Sequence, residues 1–251
     1  MQPNHSSQSI ALPIAIIVGF CIIAATLFFA NSKPNTPTGN PSANLDNTDF
    51  TPIPFEDLAT RLHRPIQTVT SDDHIRGNPN APVMLVVYTS FECPSCRTYH
   101  LSLHRLLREF GQNGDLAWTF RNLPLSEQYP NGVLVANAAE CVAELNGNQS
   151  FWDFTDELFS TRGPVEPVQL SRLSEHALNA GVSEADFNRC MNEERHYERI
   201  IAQADDATAA GSFAIPYTVV LTESEVGVIN GSVPYADLKQ IIDVALASSQ
   251  Q

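Results

Sequence analysis

The run Pro82-Val83-Met84-Leu85-Val86-Val87-Tyr88 leads within two residues into Phe91-Glu92-Cys93-Pro94-Ser95-Cys96-Arg97, and then into TYHLSLHRLLREFG, residues 98–111. The first seven residues are short, apolar and rich in β-branched side chains, and GNPN precedes them. That pattern predicts a buried strand. Beyond the cysteines, Leu101, Leu103, Leu106, Leu107 and Phe110 fall near helical spacing, with Gly111 as a stop. The Cys-x-x-Cys therefore sits where a buried strand hands over to a helix.

A Cys-x-x-Cys alone serves zinc sites and redox sites alike. Its position favours redox chemistry. Cys93 at a helix N-terminus faces unpaired backbone N–H groups and the positive end of the helix dipole, which stabilise a thiolate. Thiol–disulfide exchange needs a thiolate both as attacking and as leaving group. Pro94 suits the first helical turn, where its missing N–H costs nothing. Cys96 lies one turn along, behind Cys93. The expected roles are Cys93 as the accessible nucleophile and Cys96 as the resolving thiol. Two alternatives compete: an inert buried pair, and a metal site completed by His100 and His104. The second asks one helix for ligands that a Cys₂His₂ site draws from two elements. His100 and His104 are thus read as ordinary helix-face residues, and neither a metal nor a cofactor is expected.

Outward from this centre, Leu116–Arg121 reads as a second strand ending at Pro124. Residues 133–147, 150–160, 168–181 and 183–211 read as helices, the last of them broken. Residues 218–224 and 225–231 form a hairpin of strands, and 233–248 an amphipathic helix. Strand–helix–strand, a helical block, then strand–strand–helix is an α/β plan with a helical insertion. Upstream, Ile10–Ala30 carries no charge, and as a helix would span roughly 30 Å, one hydrocarbon core. It reads as a transmembrane anchor. A cleaved signal peptide, with Ala30 and Ser32 at a poor cleavage site, is the competing reading. Cys21 within this stretch is a plain apolar residue. Residues 31–54, rich in Asn, Pro, Thr and Ser, read as a flexible tether, and 55–63 as a short helix stopped by Pro65. The net charge of −14, from 28 acids and 14 bases, excludes the basic footprint of a nucleic-acid binder.

With these motifs in hand, the sequence resembles the DsbA-like family of thioredoxin-fold oxidoreductases, from about residue 80 to 248. The likeness rests on FECPSCR (91–97), RNLPL (121–125), AAECVAE (138–144) and FWDFTDELF (151–159). It continues through FNRCM (187–191), GSFAIPYTVV (211–220), and VING (228–231) followed by PYADLKQIIDVAL (234–246). The resemblance implies a thioredoxin-like core at 66–250 with a helical insertion at about 126–208, behind a tail (1–9), an anchor (10–30) and a linker (31–65). It maps the family's cis-proline onto Pro216, preceded by Ile215, in a loop that faces the active-site disulfide and pairs with substrate backbone. It also suggests a second, structural disulfide between Cys141 and Cys190, the alternative being two buried free thiols.

Two departures from the family pattern matter. The strand position six residues before the first cysteine, often acidic in the family, is Val87; Glu92 is the only acid near Cys93, and it reads as solvated. The inner dipeptide Pro94-Ser95 lacks the His of strongly oxidising relatives, so a less extreme oxidant is expected. The function implied is oxidation of substrate-protein dithiols outside the cytoplasm. A membrane redox partner would recycle the disulfide, and the protein is expected to be monomeric, since residues 31–70 are too short and polar for a dimerisation domain. Lys33 weakly favours the opposite orientation, but a second disulfide suits an oxidising compartment. A reductase or isomerase on the same fold, or a non-catalytic metal-binding or chaperone module, are the alternative functions.

Overall fold

Alternation along the buried strand organises the core. Val83, Leu85 and Val87 point to one face of the sheet, Met84, Val86 and Tyr88 to the other, and all are buried. A strand covered on both faces reads as a continuous apolar run, which is why Pro82–Tyr88 shows no polar alternation. The computed structural model describes residues 63–163 and 165–249. The anchor, the tether at 31–54 and all but the last residue of the helix expected at 55–63 lie outside the described residues.

The elements run β1 (His74–Gly77), β2 (Val83–Thr89), α1 (Pro94–Phe110), β3 (Leu116–Asn122), α2 (Gly132–Ser160), α3 (Leu173–Asn179), α4 (Glu184–Asn192), α5 (Tyr197–Ala209), β4 (Tyr217–Leu221), β5 (Val226–Asn230) and α6 (Tyr235–Ser248). The sheet has the order β1-β3-β2-β4-β5. Strands β2 and β3 are parallel, joined by α1 as crossover; β4 is antiparallel to β2, and β5 to β4. This is a thioredoxin-like α/β fold with a helical insertion between β3 and β4. Among the described residues no helix is long and apolar enough to cross a membrane.

One sheet face packs against α1 (Tyr99, Leu103, Leu106) and α6 (Leu238, Ile242); the other packs against α5 (Ala207) and the following Ala210. The insertion adds Phe151, Trp152, Phe154 and Phe159 to the first of these cores. The two helices expected at 133–147 and 150–160 are the two halves of α2, which meet at a non-helical Gly147 whose φ of 83° and ψ of −179° belong to a region open essentially to glycine. The expected break in 183–211 falls between α4 and α5. No sequence pattern predicts strand β1. Its four residues, HIRG, carry no apolar alternation, and only antiparallel pairing with β3 makes them a strand. Gly77 closes that strand at φ 105°, where a side chain would meet the Leu116 carbonyl.

Candidate active site

Helix α1 begins one residue after Cys93. Cys93 is its N-cap, with φ −76° and ψ 123°, and Cys93 Sγ accepts from the Cys96 backbone N–H at 3.1 Å. Pro94 occupies the first turn, where its ring fits a helix start. Cys93 and Cys96 are joined as a disulfide, with their Cα atoms 5.2 Å apart. The sulfur that sequence placed at the helix N-terminus thus accepts one of the helix's otherwise unpaired donors.

The loop before β4 is bound to this turn. Ser95 Oγ lies 3.1 Å from Cys93 Sγ and donates to the Ile215 carbonyl at 3.3 Å. One turn further along α1, Tyr99 Oη accepts from Thr218 Oγ1 at 3.0 Å. These bonds bring Ile215 and Pro216 alongside Cys93-Pro94-Ser95-Cys96, and the Ile215–Pro216 peptide bond is cis. Phe213, two residues upstream, is 80% exposed.

The end of the insertion closes the other side. Arg97 Nε donates to the Phe159 carbonyl at 2.7 Å. Arg162, just past α2, donates to the Phe91 carbonyl and, at 2.8 Å, to the Glu166 carbonyl. Phe91 stacks on Phe120 and Phe159, with ring centroids 4.8 and 5.6 Å apart.

Three expectations about this region need correction. Glu92 is buried, and its Oε2 has no hydrogen-bond partner, because the Phe91–Cys93 turn is covered rather than free in solvent. Cys93, expected to be accessible, is 1% exposed, as is Cys96; only Pro94 and Ser95 of the motif reach the surface. His100 is not an ordinary helix-face residue. It is buried between Trp118 and Phe159, and its Nε2 lies 2.8 Å from Asp156 Oδ1 on α2. Burial pushes the His100 pKa down to about 4, against the pull of Asp156. Burial alone would raise the Asp156 pKa, but hydrogen bonds with His100, His104 and Arg76 hold it well below the usual carboxylate range.

Val87, at the strand position often acidic in the family, is buried in mid-strand and pairs with Phe120 and Thr218. Arg162 and Asp156 were missed by sequence reasoning. Both belong to the insertion, far along the chain from Cys93, and neither stands in a motif. Burial lowers the Arg162 pKa, with Arg97 adding to that and Glu92 opposing it. Cys141 on α2 and Cys190 on α4 form a second disulfide, with Cα atoms 5.9 Å apart and both residues fully buried.

The thioredoxin family model Thioredoxin_4 matches residues 69–244. Solved structures with this fold include oxidised BdbD from Bacillus subtilis, with a TM-score of 0.61 and 23% identity over 70% of this chain and 93% of that one. Wolbachia pipientis alpha-DsbA1 has a TM-score of 0.62 at 18% identity, covering 72% and 94%. Chlamydia trachomatis DsbA has 0.60 at 16%, covering 75% and 96%. Among curated relatives, a Na(+)/H(+) antiporter NhaA 1 of Mycolicibacterium gilvum is 33% identical over 165 residues, 65% of this chain but 25% of the antiporter. An NhaA 3 of Salinispora tropica is 34% identical over 103 residues, 41% of this chain and 15% of that protein. The chain therefore spans a quarter or less of these relatives' length.

Proposed function

The chain belongs to the thioredoxin family and has a DsbA-like fold; we propose that Cys93 and Cys96 are its thiol–disulfide centre and that it oxidises dithiols of substrate proteins outside the cytoplasm. A substrate thiolate attacks Cys93 Sγ; the Cys93–Cys96 bond breaks and Cys96 leaves as a thiolate. A second substrate thiolate then attacks the substrate sulfur of the mixed disulfide, and Cys93 leaves. The substrate loses two electrons and two protons, and the protein ends as the dithiol. A membrane partner returns it to the disulfide.

One observation carries the direction of transfer. Cys93 Sγ caps α1 and accepts the Cys96 N–H at 3.1 Å. In the reduced protein this donor and the helix dipole favour a Cys93 thiolate. Stabilising the reduced form makes the disulfide the stronger oxidant. Buried Glu92 acts the other way, which together with the absence of a His between the cysteines supports a moderate oxidant. Substrate chains are taken up along the Ile215–Pro216 loop, with exposed Phe213 as an apolar contact. Two disulfides suit an oxidising compartment, and residues 10–30 serve as the anchor.

Equilibration of the Cys93–Cys96 couple against glutathione tests this reading. A potential between those of a strong oxidase, about −120 mV, and protein disulfide isomerase, about −180 mV, is expected. A potential at or below that of thioredoxin, about −270 mV, overturns it in favour of a reductase. Cys96→Ser should trap mixed disulfides through Cys93, and Cys93→Ser should abolish exchange.

A further inference from the structure

Two turns of α1 carry a second constellation. His100 and His104 lie one helical turn apart, on one face of the helix, with their Nε2 atoms 3.1 Å from each other. Asp156 Oδ1, projecting from α2, lies 2.8 Å from His100 Nε2 and 2.9 Å from His104 Nε2. Three ligand atoms from two elements thus converge on one point. We propose that His100, His104 and Asp156 form a binding site for a divalent transition ion of the zinc type.

The contacts themselves argue for it. His104 Nε2 lies 2.7 Å from Arg76 Nη1, which can only donate, and 2.9 Å from Asp156 Oδ1, which as a carboxylate can only accept. Nδ1 of His104 lies 3.3 Å from the same Nη1 and can accept from it while Nε2–H donates to Asp156, but the two Nε2 atoms, 3.1 Å apart, then both turn their protons toward one carboxylate oxygen. A cation uses the lone pairs of both imidazoles and the carboxylate together. Zinc binds His nitrogen and carboxylate oxygen at about 2.0–2.2 Å. A point at that distance from all three atoms exists, because their mutual separations are only 2.8–3.1 Å. Arg76 Nη1 then gives up His104, while Nη2 keeps Asp156 Oδ2 at 2.8 Å. His104 and Asp156 are partly exposed, with side-chain exposures of 25% and 36%, so an ion can enter and water can complete its coordination. The donor set of imidazoles plus carboxylate suits zinc, copper or nickel rather than calcium or magnesium. The site is separate from the sulfur chemistry, since no cysteine is among its three ligand residues.

Both tryptophans of the chain flank the site. The Trp118 ring lies 5.3 Å from that of His100, and Trp152 stacks under the Arg76 guanidinium at 4.4 Å. The test is zinc titration of the purified, oxidised full chain by calorimetry, together with tryptophan quenching by Cu²⁺ and its reversal by Zn²⁺. One ion per chain is expected, with His104→Ala and Asp156→Asn each weakening affinity at least tenfold and abolishing the zinc-reversible quenching. Because either substitution could disturb the fold, His104→Gln is measured alongside, with the circular dichroism of all variants. Undetectable zinc binding at 100 μM, or affinity unchanged in the variants that stay folded, overturns the proposal and leaves the cluster as an ion-pair network between β1, α1 and α2.

Discussion

Glu92 is a buried acid that immediately precedes Cys93 in the chain. A buried carboxylate without a hydrogen-bond partner is costly, and its charge disfavours a thiolate on the neighbouring residue. Glu92→Gln removes that charge with little change of shape. The reduced variant should show a lower Cys93 pKa, measured by alkylation rate against pH. Its reduction potential should rise by tens of millivolts, since 30 mV corresponds to about 1.4 kcal/mol for a two-electron couple. An unchanged or lower potential would mean that Glu92 does not act on Cys93. Glu140 on α2 poses a different problem. Burial alone would raise its pKa, but His74 at 2.9 Å, Asn122 at 2.7 Å and Arg199 at 3.1 Å hold it below the ordinary value of 4.5. A carboxylate depressed in the folded state adds stability above its unfolded pKa and loses it as pH falls through the folded one. Wild type should therefore lose stability below about pH 4.5 more steeply than Glu140→Gln. Urea midpoints from pH 7 to pH 3 read the difference, and parallel curves would refute the assignment.

At the scale of elements, the insertion is held by covalent and ionic ties more than by helix propensity. α3 and α4 have only 7 and 9 residues, below the length at which helices persist alone in water. The Cys141–Cys190 bond, spanning 49 residues, pins α4 to α2. The chain-entropy account assigns a loop of that size about 4 kcal/mol, an upper value because strain and residual structure reduce it. The double substitution Cys141→Ala, Cys190→Ala should lower the melting temperature markedly while leaving dithiol oxidation intact at low temperature. Loss of activity in a still-folded variant would show that the insertion bond also shapes the active site. Mild reduction should open Cys93–Cys96 first, because catalytic disulfides are the labile ones.

Across the whole molecule, one buried cation joins segments far apart in the chain. Arg121, at the end of β3, donates to Asp73 at 2.8 and 3.0 Å, to Asp206 of α5 at 3.2 Å, to Tyr88 Oη of β2 at 2.9 Å, and to the carbonyls of Gln67 and Thr68. Its side chain is 4% exposed, those of Asp73 and Asp206 7% and 8%. Removing one partner of such a pair leaves uncompensated buried charge and costs about 3–5 kcal/mol. Arg121→Leu should therefore destabilise the protein by that amount in chemical denaturation, with protection from hydrogen exchange lost first in residues 66–73. A cost under about 1 kcal/mol would show that water or a neighbouring cation compensates the two acids.

Local chemistry decided what was legible in the sequence. The apolar run of β2, the helical spacing of α1, the strand at β3, the β4–β5 hairpin and the closing helix each announce themselves within a dozen residues, because side-chain periodicity follows directly from backbone geometry. Cys93 at a helix start was readable for the same reason: strand, cysteine and proline are contiguous. What only the tertiary structure decided depends on contacts between distant segments. β1 is a strand only through β3; Glu92 and Cys93 are covered instead of exposed; His100 and His104 meet Asp156 and Arg76, more than fifty residues downstream and more than twenty upstream. No local pattern encodes such meetings. Burial and pairing are properties of the packed chain, and the same side chain read alone would be solvated.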